Sequence, residues 1–312
     1  MHICKSEADQ LKTLPIPQEG CWISLTAPTE EEIVLISENC SLPEDVLRAA
    51  LDPEERSYID SDEEYVMIVI NVPTMDTDRE RELYDTIPLS IILTSESILT
   101  VCREDTPVLR PFAEGKIRGF STMMKTRFVF QILYAAASLY LMYLRQIDRR
   151  SEVIEAGMHR STRNREIFEL LKLQKSLVYF TSSLRQNEAV LEKLMRTNAV
   201  KKYPEDAQLL EDALTENKQA LEMAGIYRGV LSSTTDAIAS VISNNQNTVM
   251  KRLSIITIVM AIPTILFSAY GMNVASASMP LAAHPQAFFL IVGISLAFSG
   301  VIALLFSLLR RR

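Results

Sequence analysis

Residues 253–270 read LSIITIVMAIPTILFSAY, without one Asp, Glu, Lys or Arg. Residues 288–309, FFLIVGISLAFSGVIALLFSLL, are equally uncharged. A hydrocarbon core about 30 Å thick takes roughly 20 apolar residues of helix. The second stretch has that length, and the first reaches it with Gly271 and Met272 or a little of the preceding helix. Between them Gly271, Asn273, Pro280 and Pro285 interrupt helical continuity, so the chain turns there. Lys251 and Arg252 precede the first stretch, Arg310, Arg311 and Arg312 follow the second, and the connection has no Lys or Arg. The positive-inside rule then puts both ends of the hairpin in the cytoplasm and the connection outside. The expected layout is a first transmembrane span over 253–272, an outer loop over 273–287, a second span over 288–309 and a basic cytoplasmic end, 310–312.

Working outward, the rest of the chain is a different material. The protein has 312 residues and a formal net charge of −7, with 32 Lys+Arg against 39 Asp+Glu. All the acidic side chains, and 29 of the basic ones, lie in residues 1–252. A 48% hydrophobic, 23% charged composition excludes disorder as the main state. A net acidic chain argues against nucleic acid as a partner, because its binders carry a basic stripe. Cys4, Cys21, Cys40 and Cys102 form no C-x-x-C pair, which fits reduced thiols in a cytosolic setting. Residues 1–17 mix charges without an apolar run and do not read as a signal peptide.

The first span carries a polar stripe. Asn247, Met250, Ser254, Thr257, Ala261, Thr264 and Ser268 are spaced alternately three and four apart, which is one helical face. The other faces are Ile, Val, Leu and Phe. Two explanations are open. Small and hydroxylated residues let membrane helices approach closely. Alternatively, the stripe lines an aqueous path, which a two-span monomer cannot enclose, so several copies would stand around an axis. Asn247 and Met250, which are not small, continue the stripe to the cytoplasmic mouth and favour the path. Pro263 is expected to kink the span, and Gly293 and Gly300 to mark close packing of the second span against the first. No ionisable residue lies in either span, which weighs against proton coupling.

Extended, β-rich stretches occur at 21–25, 65–72, 87–94 and 98–101, the last two joined by Ser95-Glu96-Ser97 as a hairpin. Helical patterns lie at 29–37 and 43–50, so residues 1–120 are expected to form a cytoplasmic α/β or α+β domain with a mixed sheet. Residues 121–154 and 162–196 predict two long helices, giving a helical hairpin over 121–204. Pro204 suits the first turn of a third helix, and no further proline follows until Pro263. That predicts a stalk helix over 205–252 running on into the first span, a rod of roughly 90–100 Å at 1.5 Å per residue. A rigid helix continuous with a pore-lining one would act as a lever.

At Tyr270-Gly271-Met272-Asn273 the sequence resembles the CorA family of magnesium transporters. The Gly-Met-Asn tripeptide ends the first of two C-terminal spans after a long charged stalk, and 244–251 (NNQNTVMK) is similar to the family's pore entrance. The resemblance covers essentially the whole chain and is strongest over 205–312. It implies a homopentameric funnel in the cell membrane that conducts hydrated Mg²⁺, both transported and regulatory, with no nucleotide or organic cofactor. By the same resemblance Gly271, Met272 and Asn273 form the outer selectivity mouth, Asn247 and Met250 an inner constriction, and the other stripe residues the bore. It also implies cytoplasmic carboxylates that bind regulatory Mg²⁺ between subunits. Asp212 falls at such a position, with Glu216 one turn on, and its partner would be Asp76 or Asp78.

The residues suit that chemistry. Mg²⁺ sheds water reluctantly, and neutral amide carbonyls can accept hydrogen bonds from its hydration shell yet let it leave. Two charges moving down an inside-negative 100 mV potential release about 4.6 kcal/mol, so no ATP is needed. Nothing resembles a P-loop or a catalytic triad, His2, His159 and His284 are scattered, and no enzyme is expected. The sequence departs from the family in its outer loop, where Met279-Pro280 is followed by Leu281 and no carboxylate occurs. Transport of Co²⁺, Ni²⁺ or Zn²⁺, and a non-transporting membrane-anchored scaffold, are the alternatives.

Overall fold

The computed structural model describes residues 1–7, 10–76, 83–158, 164–197, 200, 203–273, 280–281 and 284–309. Two compact units divide at Thr235/Asp236. The first opens with β1 (His2–Glu7), β2 (Gln10–Thr13) and β3 (Trp22–Thr26), then α1 (Glu30–Cys40) and α2 (Glu44–Ala49). β4 (Tyr58–Ser61), β5 (Tyr65–Asp76), β6 (Leu83–Thr94) and β7 (Ile98–Cys102) follow, and then α3 (Arg110–Ala113), α4 (Lys125–Met158) and α5 (Asn164–Arg196). The 67-residue α6 (Pro204–Tyr270) begins in this unit and ends in the second, which also holds α7 (Ala287–Leu309).

The seven strands form one mixed sheet in the order β2-β1-β3-β7-β6-β5-β4. Among the described residues, only β3 and β7 pair in parallel. The four extended stretches expected from sequence are β3, β5, β6 and β7, and the turn at residues 95–97 closes the β6–β7 hairpin. The sequence reading missed β1, β2 and β4. β2 and β4 are the two edge strands, where one side of the ladder needs no partner, and β1, though paired on both sides, shares their weak apolar alternation. Thr29 caps α1: its hydroxyl accepts from the Glu32 N–H while the Glu32 carboxylate accepts from the Thr29 N–H, a reciprocal pair that fixes the helix start.

Alternation along the strands divides the core. Ile68, Ile70 and Val72 of β5 face one layer, built with Phe128, Phe130 and Ile132 of α4 and with Leu191 and Leu194 of α5. Tyr65, Met67 and Val69 face the other, packed with Ile33, Ile36 and Leu47 of α1 and α2. A third cluster lies between the helices, where Tyr140 and Leu144 of α4 meet Leu177 and Phe180 of α5 and Ala220 and Ala224 of α6. On α6, Leu210, Ala213, Asn217, Ala220 and Ala224 recur three and four apart and are buried, and the three alanines admit close approach. Asn217 donates to the Leu184 carbonyl at 2.9 Å, so even the polar member of this row is satisfied.

Among the described residues, three helices are long and apolar enough to cross a membrane: α4, α6 and α7. Burial separates them. Of the most apolar stretch of α4, 61% is covered by the fold, whereas the corresponding shares for α6 and α7 are 0% and 11%. The hydrophobicity of α4 is thus accounted for by the core, and that of α6 and α7 is not. Exposed Met260, Ile265, Phe288, Phe289 and Leu304 form more apolar surface than a soluble monomer carries.

Candidate ion pathway

The second unit is built around α6 and α7. Ile255, Val259, Ile262 and Leu266 of α6 are half-buried, and their spacing marks the face that meets α7. On α7 the facing residues are Ser295 and Ser299, both buried. Tyr270 donates its hydroxyl to the Pro280 carbonyl at 2.7 Å, tying the end of α6 to the connection.

The polar stripe lies on the other side. Asn247, Met250, Ser254, Thr257, Thr264 and Ser268 are exposed, and Ala261 is half-buried. At 100° per residue the centre of the stripe is about 150° around the helix from the face that meets α7. Packing within the hairpin therefore does not explain the stripe. Three of its hydroxyls are internally committed as donors: Ser254 donates to the Met250 carbonyl, Thr257 to Leu253 and Thr264 to Met260, at 2.9, 2.9 and 3.0 Å. With these three protons held by the helix, the oxygens present lone pairs outward. The stripe is chemically a row of acceptors without charge.

Gly271 follows the last residue of α6, and its N–H bonds to the Phe267 carbonyl at 3.0 Å. A Cβ at this position would stand 3.3 Å from that carbonyl oxygen, so glycine lets the chain leave the helix closely wound. Met272 and Asn273 follow, both exposed. Residues 274–279 and 282–283 of the expected outer loop, and Arg310 to Arg312, lie outside the described residues.

Of the regulatory candidates, Asp212 and Glu216 lie one turn apart on α6. Asp212 is exposed on α6 and accepts from Gln208 Nε2 at 2.8 Å, and Glu216 is half-buried one turn on. Asp76 is the last residue of β5, with its backbone paired to Leu83, and Asp78 lies outside the described residues. Among the described residues, no three His, Cys, Asp or Glu side chains gather to hold a metal.

One expectation is corrected. Gly293 and Gly300 do not pack on the first span: a Cβ at either would meet nothing within 4 Å. Ser295 and Ser299 occupy that interface instead. Sequence reading passed over Ser299, although Pro263 offered a signal. A proline lacks an N–H, so the carbonyl four residues earlier, that of Val259, loses its helical donor. Ser299 Oγ donates to that oxygen at 3.3 Å.

Comparison with known proteins adds independent support. The family model described as CorA-like Mg²⁺ transporter protein matches residues 17–312. A protein of Methanocaldococcus jannaschii described as cobalt/magnesium transport protein CorA is 28% identical over 93% of this chain and 90% of its own length. Its counterpart in Thermotoga maritima is 24% identical over 81% of this chain and 72% of its own. The solved complete structure of the CorA magnesium transporter from Methanocaldococcus jannaschii superposes with a TM-score of 0.84 at 24% identity, covering 98% of this chain and 97% of that one. Its fold therefore matches this one from end to end.

Proposed function

We propose a transport function from an established premise: the chain belongs to the CorA-like Mg²⁺ transporter protein family. Several identical copies, five by the family resemblance, stand around an axis in the cell membrane with both termini cytoplasmic. The α6 stripes face inward, and hydrated Mg²⁺ passes between them down the membrane potential. The observation that carries this reading is the acceptor row on the face of α6 turned away from α7. A hydrated cation presents water hydrogens outward. Uncharged acceptors can receive them without stripping the shell or trapping the ion. Lipid has no use for such a row, and it is turned away from the face that meets α7.

In this reading Asn273 sets the outer mouth with Gly271 and Met272, and Asn247 and Met250 narrow the inner end. Regulatory Mg²⁺ is held at Asp212 and Glu216 of one copy and Asp76 or Asp78 of its neighbour. Opposed carboxylates repel unless a cation bridges them, so loss of the metal loosens the cytoplasmic assembly. No His or Cys lines the stripe, which disfavours a dehydrating site for softer metals. Relatives described as cobalt/magnesium transport proteins make Co²⁺ the first competitor to examine.

The test is Mg²⁺ flux into liposomes containing the purified protein, with Co²⁺, Ni²⁺ and Zn²⁺ as competitors. Wild type should carry Mg²⁺, and Asn273→Ala should abolish uptake while the oligomer and membrane insertion persist. Uptake unchanged in that variant would favour a membrane-anchored scaffold.

A further inference from the structure

Pro263 lies within α6, and its ring nitrogen carries no hydrogen. The Val259 carbonyl is therefore left without its helical donor, inside a segment where lipid supplies none. Ser299 of α7, only 7% exposed, donates its hydroxyl to that oxygen at 3.3 Å. The neighbouring turns of α6 need no such help, since their carbonyls accept ordinary helical bonds and the stripe hydroxyls besides. One turn away on the same face of α7, Ser295 is fully buried, and its hydroxyl has no hydrogen-bond partner among the described residues. The two serines are alike in size, depth and helix face but differ in whether they hold an acceptor.

We propose that Ser299 is a positioning residue for transport: its hydroxyl replaces the amide that Pro263 lacks, and so pins the pore-lining helix to α7 at Val259. This rests on the transport reading above. The pin sits on the face of α6 away from the stripe. It fixes the rotation of the helix about its own axis, and with it the direction in which Thr257, Ala261 and Thr264 point. A proline break left open would allow the helix to swing about its weakest turn. Small size alone does not account for Ser299, because an alanine would pack as closely and leave the carbonyl bare.

The test is a double-mutant cycle in full-length protein reconstituted in liposomes, read by Mg²⁺ flux and by the thermal midpoint of the detergent-solubilised protein. Hydrogen bonds between membrane helices are worth about 0.6 to 1.7 kcal/mol, so Ser299→Ala should lower flux roughly three- to twentyfold. Ser299→Thr, which keeps the hydroxyl, should restore it, and Ser295→Ala should change it less than twofold. In a Pro263→Ala background the Val259 carbonyl regains a backbone donor, and Ser299→Ala should then affect neither flux nor midpoint. Equal losses in both backgrounds, or a Ser299→Ala protein that matches wild type, would overturn the proposal. Should Pro263→Ala itself stop flux, the midpoints alone carry the cycle: a loss confined to the proline background supports the pin, and equal losses refute it. Absence of flux in wild type would instead defeat the transport reading, and the midpoints would still decide the pin.

Discussion

The side-chain amide of Asn187 holds the main chain of Asn71 at both ends: its Oδ1 accepts from the Asn71 N–H at 2.9 Å, and its Nδ2 donates to the Asn71 carbonyl at 2.7 Å. β4 begins at Tyr58, opposite Val69, so Asn71 lies beyond its reach. The amide acts as one more strand residue, supplied by α5. Ser57 joins by donating to the same Oδ1, and Tyr140 donates to the Asn71 carbonyl. Asn187→Ala should strip a buried N–H of its partner, at a cost of about 1–3 kcal/mol. Chemical denaturation should show the midpoint falling accordingly, whereas Asn39→Ala, at an exposed site, should leave it in place.

Which parts of this molecule were legible in advance follows from how local the physics is. The central strands β5 to β7 and the helices α4 to α6 declare themselves by apolar periodicity, because each buries a face of regular spacing. The hairpin declares itself by the absence of charge over 253–309. β1 and β2 were illegible because their polar residues offer little alternation, and pairing orders them, β1 on β3 and β2 on β1. The stripe was legible as a pattern, but its direction was not. Spacing cannot say which face meets α7, and the half-buried set through Val259 and Leu266 decides that. Ser299 was hidden for a related reason: its role depends on a carbonyl 40 residues away in sequence.

Gly271→Ala should damage transport more than folding. The added Cβ meets a backbone carbonyl at 3.3 Å, which must give by a few tenths of an ångström. The displacement falls directly before Met272 and Asn273, where a small shift moves the proposed outer mouth. Mg²⁺ flux should drop at least tenfold while the oligomer elutes unchanged from size exclusion. Flux within twofold of wild type would show that the exit from α6 tolerates the side chain.

Acid should weaken the first unit partly through Glu169. Lys172 donates to its carboxylate at 2.7 Å, and this bond, with Arg150 nearby, holds the carboxyl below its ordinary range. A depressed folded value means that the contribution is complete above the unfolded value of about 4.3 and is lost as pH falls through the lower folded one. Partial exposure keeps the effect small. Between pH 5 and pH 3 the thermal midpoint of wild type should fall more steeply than that of Glu169→Gln. Parallel profiles would remove Glu169 from the account.

Cysteine accessibility distinguishes the two faces of α6 directly. Single cysteines at Thr257 and Thr264 sit on the acceptor row, and at Val259 and Ile262 on the face that meets α7. The four native cysteines do not confuse the readout if replaced by Ser or Ala, since all lie in the first unit. A charged, membrane-impermeant thiol reagent reacts with the thiolate, which forms only where water reaches. Thr257→Cys and Thr264→Cys should therefore label from the aqueous side, and Mg²⁺ flux should fall as they do. Val259→Cys and Ile262→Cys should stay unmodified over the same interval, because α7 and lipid exclude the reagent. Labelling of all four at one rate would mean that α6 has no preferred wet face. Labelling confined to Val259→Cys and Ile262→Cys would place water on the α7 side and leave the hydroxyl row as a seam between copies.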